Sequence, residues 1–382
     1  MSLRGAAGYW MVAGFVLLAA LPFLQGRYIA TYGTQLIPVL CFAILALGLN
    51  VVVGYTGLLH LGIAAFFGIG AYVTAILTTS GFPFASSFLV AAVAAMLVAA
   101  AVGVATTAPT LRLRGDYLAL VTMGFGIITV SVIRNLDALT DGTKGLTPVS
   151  PNFFPGFDDP VFEKSRPGWK DSWRGYPRLY YLCLAVLAGV VIFLRNLERS
   201  RLGRAWVAMR EDELAASCMG LNPAKLKLSA IALGAGLAGL AGALFAISQD
   251  GTTEPRAYGF ERSMLVICCI ILGGLGNRPG VLLGVVLLVG YDQIVTSMLD
   301  NWLQEQKVNP EGKEYLKVSG WRLFIFGLAL ILMMRFRPEG MLPAARQKRE
   351  LHPERDEAAG ERAAKAEAEA KDKPVDRGKK NE

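Results

Sequence analysis

Charge is scarce in this chain: Asp, Glu, Lys and Arg together make up 18% of its 382 residues, against 53% hydrophobic residues. Histidine is scarcer still, at two copies, one of them (His352) near the C-terminal end. There is no G-x-x-x-x-G-K-[ST] phosphate loop, no nucleophile motif and no metal-ligand spacing, so the residue sets on which hydrolytic and metal chemistry rest are missing. Cysteine adds little. Cys41, Cys183, Cys268 and Cys269 fall inside apolar runs and Cys218 in a charged segment, which indicates neither a disulfide framework nor a metal site. No catalytic residue, metal ligand or cofactor is therefore expected in this chain.

What the sequence has is apolar length. Uncharged runs of roughly 17 to 23 residues recur, as bilayer-crossing helices require. They lie near residues 8–25, 33–53, 57–79, 85–107, 116–134, 178–195, 226–248, 263–275, 279–299 and 320–336. The expected fold is an all-α membrane protein, a polytopic helical bundle of about ten transmembrane or re-entrant segments. The eighth run is short, and Gly273-Gly-Leu-Gly276 breaks it from the ninth, so these two either both span or form a re-entrant pair. The first run lacks a small-x-small site ahead of Gly26 and reads as an uncleaved span rather than a signal peptide.

The net charge of +8 comes from Lys and Arg placed mainly between apolar runs and in the tail, a pattern that fits a membrane protein's positive-inside rule better than nucleic-acid binding. One side receives Arg4, Arg112, Arg114, Arg195, Arg199, Arg201, Arg204, Arg210, Lys225, Lys227, Arg278, Arg335 and Arg337. The other receives loops of mixed sign at 137–176, 250–262 and 300–319. Both termini are thus expected on the cytoplasmic side, with an even number of spans. Residues 1–343 form the membrane domain, with the 137–176 loop packed on its outer face. Residues 344–382 are a Lys/Glu/Ala-rich, solvated tail of low complexity.

Small residues mark close helix packing in the seventh run, where Gly234, Ala238 and Gly242 share one face and Ala235, Gly239 and Ala243 lie beside them. Gly54 and Gly57 break a run that also carries Asn50, Tyr55, Thr56 and His60. Irregular backbone at membrane depth is tolerated where protein or a wet cavity satisfies it. The break is either part of a translocation pathway or a tight cytoplasmic turn, with His60 at the interface. A second interruption, Gly273 to Gly284, occupies a comparable place in the other half and points to internal pseudo-symmetry. Asp292 adds a carboxylate in the ninth run, at an insertion cost of about 2.5 to 3.5 kcal/mol that the neighbouring Leu and Val residues offset. It faces either a wet cavity or the outer rim.

The charged stretch from Arg195 to Lys227 contrasts with everything around it. Its centre, Arg210-Glu-Asp-Glu-Leu-Ala-Ala-Ser-Cys-Met-Gly220, reads as a short surface helix spanning Arg204 to Gly220. Gly220 suits the left-handed C-terminal position, and Asn222-Pro223 opens the next helix. Trp206, Met209 and Leu214 would allow such a helix to lie in the headgroup region. The cluster of Glu211, Asp212 and Glu213 favours a protein partner instead.

These residues resemble the permease subunits of ATP-binding-cassette importers, specifically the branched-chain amino acid permease family. The family's cytoplasmic loop carries Glu-Ala-Ala-x3-Gly. Here Ala215-Ala216-x3-Gly220 matches, and Glu213 stands one position early. Gly54-Tyr-Thr-Gly-Leu-Leu58, Ala64-Ala-Phe-Phe-Gly-Ile-Gly-Ala-Tyr72, Leu111-Arg-Leu-Arg-Gly-Asp-Tyr-Leu-Ala-Leu120 and Gly273-Gly-Leu-Gly276 with Gly280 and Gly284 extend the likeness over about residues 30 to 343. The resemblance implies a multi-pass subunit of a bacterial inner membrane that imports leucine, isoleucine, valine or related amino acids. Its implied partners are a second homologous permease, two cytoplasmic ATPase subunits and an extracytoplasmic solute-binding protein. With no phosphate loop here, another chain must hydrolyse the ATP. Arg210, Glu213, Ala215, Ala216 and Gly220 are the expected ATPase-coupling residues. Asn50, Gly54, Tyr55, Thr56, Gly57 and Asp292 are the expected pathway residues. The same family includes permeases for urea and short amides, and an ATP-independent secondary carrier is the rival from another class.

Overall fold

The computed structural model describes residues 14, 18, 30–79, 86–112, 116–146, 176–249, 252, 255–299, 321–337 and 340–342. The tail, most of the 137–176 loop and nearly all of the first expected span, near 8–25, lie outside the described residues. Among the described residues there are helices and no strand. The longer ones are α1 (Ala30–Asn50), α2 (Ile63–Thr78), α3 (Phe88–Thr107), α4 (Asp116–Asn135), α5 (Tyr176–Arg199) and α6 (Arg201–Glu211). After the short α7 (Glu213–Cys218) come α8 (Pro223–Ser248), α9 (Phe260–Gly273), α10 (Arg278–Gly290) and α11 (Arg322–Phe336).

Helix α8 is the axis on which the others pack. Its start is set by Asn222, whose side chain accepts the Lys225 N–H, and by Pro223 in the first turn. From there it is buried along most of its length against α1, α2 and α3. Apolar burial does not drive helices together in lipid, so close backbone approach must. The glycine stripe supplies it: a Cβ on Gly239 would lie 2.6 Å from the Ala95 carbonyl oxygen of α3, and one on Gly48 would lie 2.9 Å from the Gly234 carbonyl oxygen. Further along, the rings of Phe42, Phe67, Phe245 and Tyr258 stack with centroids 5.2 to 6.1 Å apart, joining α1, α2 and α8. The outer helices turn large apolar side chains outward, among them Val90 and Leu97 of α3, Leu120 and Ile128 of α4, and Phe324 and Ile331 of α11. That arrangement suits a lipid solvent.

Among the described residues, six helices are long and apolar enough to cross a membrane: Gln35–Tyr55, Phe88–Thr107, Tyr117–Asn135, Leu179–Arg199, Pro223–Ser248 and Arg278–Leu299. The sequence spacing pointed to about ten transmembrane or re-entrant segments, the first of which lies almost wholly outside the described residues. Three of the expected spans are too short for that length: α2 has 16 residues, α9 has 14 and α11 has 15. A helix of 14 residues rises about 21 Å, less than a hydrocarbon core of about 30 Å. The α9–α10 pair is accordingly unequal, because α10 runs on through a π turn to Leu299 and reaches spanning length while α9 does not. In the run near 57–79 the shortfall is non-helical backbone, since Gly57 turns the chain and helix resumes only at Ile63.

One end of the bundle gathers the basic residues. There Arg278 at the start of α10 pairs with Glu198 at the end of α5 at 2.7 Å. The chain beyond α11 returns to the same end, where the Met341 and Leu342 N–H groups donate to the Leu272 and Gly273 carbonyls at 2.9 and 3.1 Å.

Adding one methyl at Gly239 forces backbone apart, whereas Gly189 on α5 has open space around it. Gly239→Ala is expected to destabilise the detergent-solubilised protein by about 1–3 kcal/mol. Gly189→Ala is expected to leave it unchanged or stabilise it by up to about 1 kcal/mol. Thermal melts of the two variants read the difference.

Candidate functional site: the docking ledge and the paired glycine breaks

Helix α1 does not stop at Asn50. It widens into a π turn, Val51–Tyr55, and Gly57 then turns the chain at φ +72. From Leu58 to Gly62 the backbone is not helical. It leans on α4 instead, the Leu61 N–H donating to Thr122 Oγ1 at 3.0 Å, nearly two turns into that helix. The segment is therefore not a tight turn between two spans but an irregular stretch that delays the start of α2 until Ile63. His60, expected at the interface in that reading, is buried at 2% exposure, with its ring centroid 5.5 Å from that of Phe66.

The second break lies between α9 and α10. Gly276 sits at φ +76, in the left-handed region that side chains with a Cβ avoid. Helix α10 then folds back along α9 with Gly284 against the Cys269 carbonyl and Gly280 against Gly273. Asn277 Nδ2 donates to the Leu342 carbonyl at 2.7 Å, tying the returning chain to the turn.

The two breaks meet. Asn50 Oδ1 accepts the Gly276 N–H at 2.9 Å, and a Cβ on Gly54 would lie 2.8 Å from that same nitrogen. Arg210, from the end of α6, donates through Nη1 to the Gly54 carbonyl. Its Cγ would lie 3.1 Å from a Cβ on Gly57, and its Nη1 3.9 Å from one on Gly276. Asn50 is fully buried and Tyr55 is 5% exposed. Asn50 Nδ2 and Tyr55 Oη find no hydrogen-bond partner among the described residues.

The charged stretch forms a ledge at this end. Asp212, in extended conformation, splits the single expected helix of Arg204–Gly220 into α6 and α7 by accepting the N–H groups of Leu214 and Ala215 at 2.8 and 3.0 Å. Trp206 and Met209 are buried, Trp206 donating to the Leu226 carbonyl and Ser229 Oγ, so neither reaches a headgroup region. Ala216 is buried as well, while Ala215 and Gly220 are exposed. Leu214 and Met219 stand out at 74% and 84% exposure. Glu213 pairs with Lys227 of α8 at 2.7 Å.

The match to known proteins decides the family. Residues 32–334 match the family described as branched-chain amino acid transport system / permease component. The chain belongs to that family. It is 35% identical over 354 residues to the Escherichia coli K12 high-affinity branched-chain amino acid transport system permease protein LivM, which covers 90% of this chain and 76% of that protein. It is 28% identical over 308 residues to BraD of Pseudomonas aeruginosa, covering 79% and 91%, and 26% identical over 307 residues to LivH of Escherichia coli K12, covering 79% and 91%. No solved structure matches.

Within this family member, Arg210, Asn50, Gly54 and Gly57 are brought together with Gly276, and Tyr55 and Thr56 lie in the same turn. Ala215 and Gly220 lie on the exposed ledge beside them. Asp292 is elsewhere: it sits in the π turn Tyr291–Val295, about 21 Å along α10 from Arg278 by helical rise. It is buried, and Gln293 donates to its Oδ2 at 3.1 Å. Sequence reasoning missed Asp212 as a helix cap, Trp206 as an anchor and Lys227 as the partner of Glu213. An Asp ahead of a Glu-Leu-Ala-Ala run was a readable capping signal. The other two depend on contacts with α8.

Removing the Asn50 amide leaves the part-buried Gly276 N–H without its acceptor. Asn50→Ala is expected to lower stability by about 1–3 kcal/mol. Glu213→Gln, at a half-exposed ion pair, is expected to change it by less than about 1 kcal/mol. Melts of both variants in one detergent separate the two effects.

Proposed function

We propose that this chain is one permease subunit of an ATP-driven importer of branched-chain amino acids, placed in a bacterial inner membrane with the basic end of the bundle in the cytoplasm. The likeness that runs through residues 32–334 carries the reading. The excess of Lys and Arg at the end bearing the ledge supports the orientation. Likeness to both LivM and LivH supports pairing with a second, homologous permease. Two ATPase subunits and a solute-binding protein complete the assembly, and the chain itself needs no cofactor and no ATPase site of its own. Residues 1–343 are the permease domain and 344–382 an appended tail.

In this reading Leu214, Ala215 and Met219 form the contact face for an ATPase subunit, since they are exposed apolar side chains on a rigid, capped ledge. The acid of the motif acts locally: Glu213 holds α7 to Lys227 of α8. Asn50, Gly54, Tyr55, Thr56 and Gly57 line the cytoplasmic part of the pathway, and Asp292 lies deeper along it. Closure of the ATPases pushes the ledge and switches the bundle between outward and inward access.

In proteoliposomes holding the full complex, leucine uptake is expected to require both ATP and the ATPase subunits; uptake that persists without them points to a secondary carrier. Titrating the partner binding protein with leucine, urea and glutamate checks the cargo, and a response to urea alone would move the assignment to the amide branch. Ala215→Arg places a charge on the contact face and is expected to cut ATPase co-purification about tenfold or more. Undiminished assembly would remove the ledge from the docking site. Ala216 is a poor probe because it is buried.

A further inference from the structure

Two of the ledge's ties lead to the start of α8. Trp206 donates to Leu226 and Ser229 there, and Glu213 pairs with Lys227. The bond from Arg210 leads elsewhere, to the Gly54 carbonyl at the end of α1, with its stem along Gly57 and its guanidinium beside Gly276. The ledge is thus anchored to one helix and hooked into two breaks.

We propose that Arg210 is a positioning residue that makes the ledge, the α1 π turn and the 274–277 turn move as one body, so that a push on α6–α7 is delivered to the breaks. This rests on the importer reading and adds the path by which docking reaches the pathway. A charge-assisted bond from a guanidinium is about twice as strong as a neutral one, and its planar fork resists rotation in a way that a lysine does not. The bare Cα at Gly57 makes room for the Arg210 stem, and the bare Cα at Gly54 lets the 274–277 turn come close to the end of α1. Leu58–Gly62 is non-helical, with the Leu61 N–H on Thr122 and the Gly62 N–H on His60 in place of a helical ladder, and hinges are drawn from such segments. Asn50 Nδ2 and Tyr55 Oη, buried and unpartnered among the described residues, give this arrangement a cost that a second arrangement can relieve.

The test uses the complete complex in proteoliposomes, with Cys218→Ser removing the exposed thiol and Leu59→Cys reporting on the non-helical segment, where Leu59 is 40% exposed. With Arg210 present, the labelling rate at position 59 is expected to change about fivefold or more between nucleotide-free and nucleotide-trapped states. Arg210→Met is expected to keep the ATPase subunits bound, abolish that change and lower leucine moved per ATP hydrolysed about tenfold or more. Arg210→Lys keeps a donor without the fork and is expected to restore part of both signals. A nucleotide response absent with Arg210 in place, or intact in Arg210→Met, overturns the proposal. So does loss of the ATPase subunits from Arg210→Met, which would make Arg210 a docking contact. ATP-independent uptake by the otherwise unaltered complex overturns the importer reading, whereas ATP-driven uptake with unchanged coupling in Arg210→Met overturns the Arg210 linkage alone.

Discussion

A backbone amide or carbonyl inside a bilayer must find its partner within the protein, because lipid offers none. Most of the described residues meet the condition by being helical. The stretch after α1 and the turn between α9 and α10 do not, and the arrangement at the basic end follows from how they are satisfied. The end of α1 and the turn between α9 and α10 are 226 positions apart at Asn50 and Gly276, yet each supplies what the other lacks. Asn50 gives its carbonyl oxygen to the Gly276 N–H, and the freed Gly54 carbonyl takes a donor from Arg210. Breaking the helices in isolation would strand buried polar groups. Breaking them together, next to a guanidinium, does not strand those two.

Packing elsewhere serves the same junction. The glycine stripe on α8 draws α1, α2 and α3 close enough for Gly48 to touch Gly234, which fixes where α1 arrives at the basic end. The α9–α10 hairpin is equally tight, with Gly284 on Cys269, and fixes where Gly276 arrives. The ledge is held by Trp206 and by Glu213 to the first turns of α8. Helix axis, hairpin and ledge converge on a few residues, so the site is positioned by the most closely packed parts of the bundle rather than by loops.

Much of this was legible in the sequence because it is periodic or local. Apolar runs gave the helices, small residues four apart gave the α8 face, and Gly220 with Asn222-Pro223 gave the boundary between α7 and α8. The two glycine interruptions were visible as a pair, although nothing local says that they touch. What sequence reading overestimated was helical length in the run near 57–79, which is helical only from Ile63 to Thr78. Hydropathy measures solubility in lipid and is blind to where a glycine ends a helix. It also left a headgroup position open for Trp206 and Met209, since burial against α8 depends on tertiary contact that a single helix does not encode. The roles of Glu213 and Arg210 were hidden for the same reason, their partners lying 14 and 156 positions away.

The junction between the breaks is read largely through main-chain atoms: a carbonyl at Gly54 and an amide at Gly276. Main-chain atoms are present whatever side chain a gene specifies. Side chains around the junction can therefore change while its bonds keep their chemistry, provided the glycines, Asn50 and Arg210 stay. Such a junction can keep its geometry while the sequence around it varies.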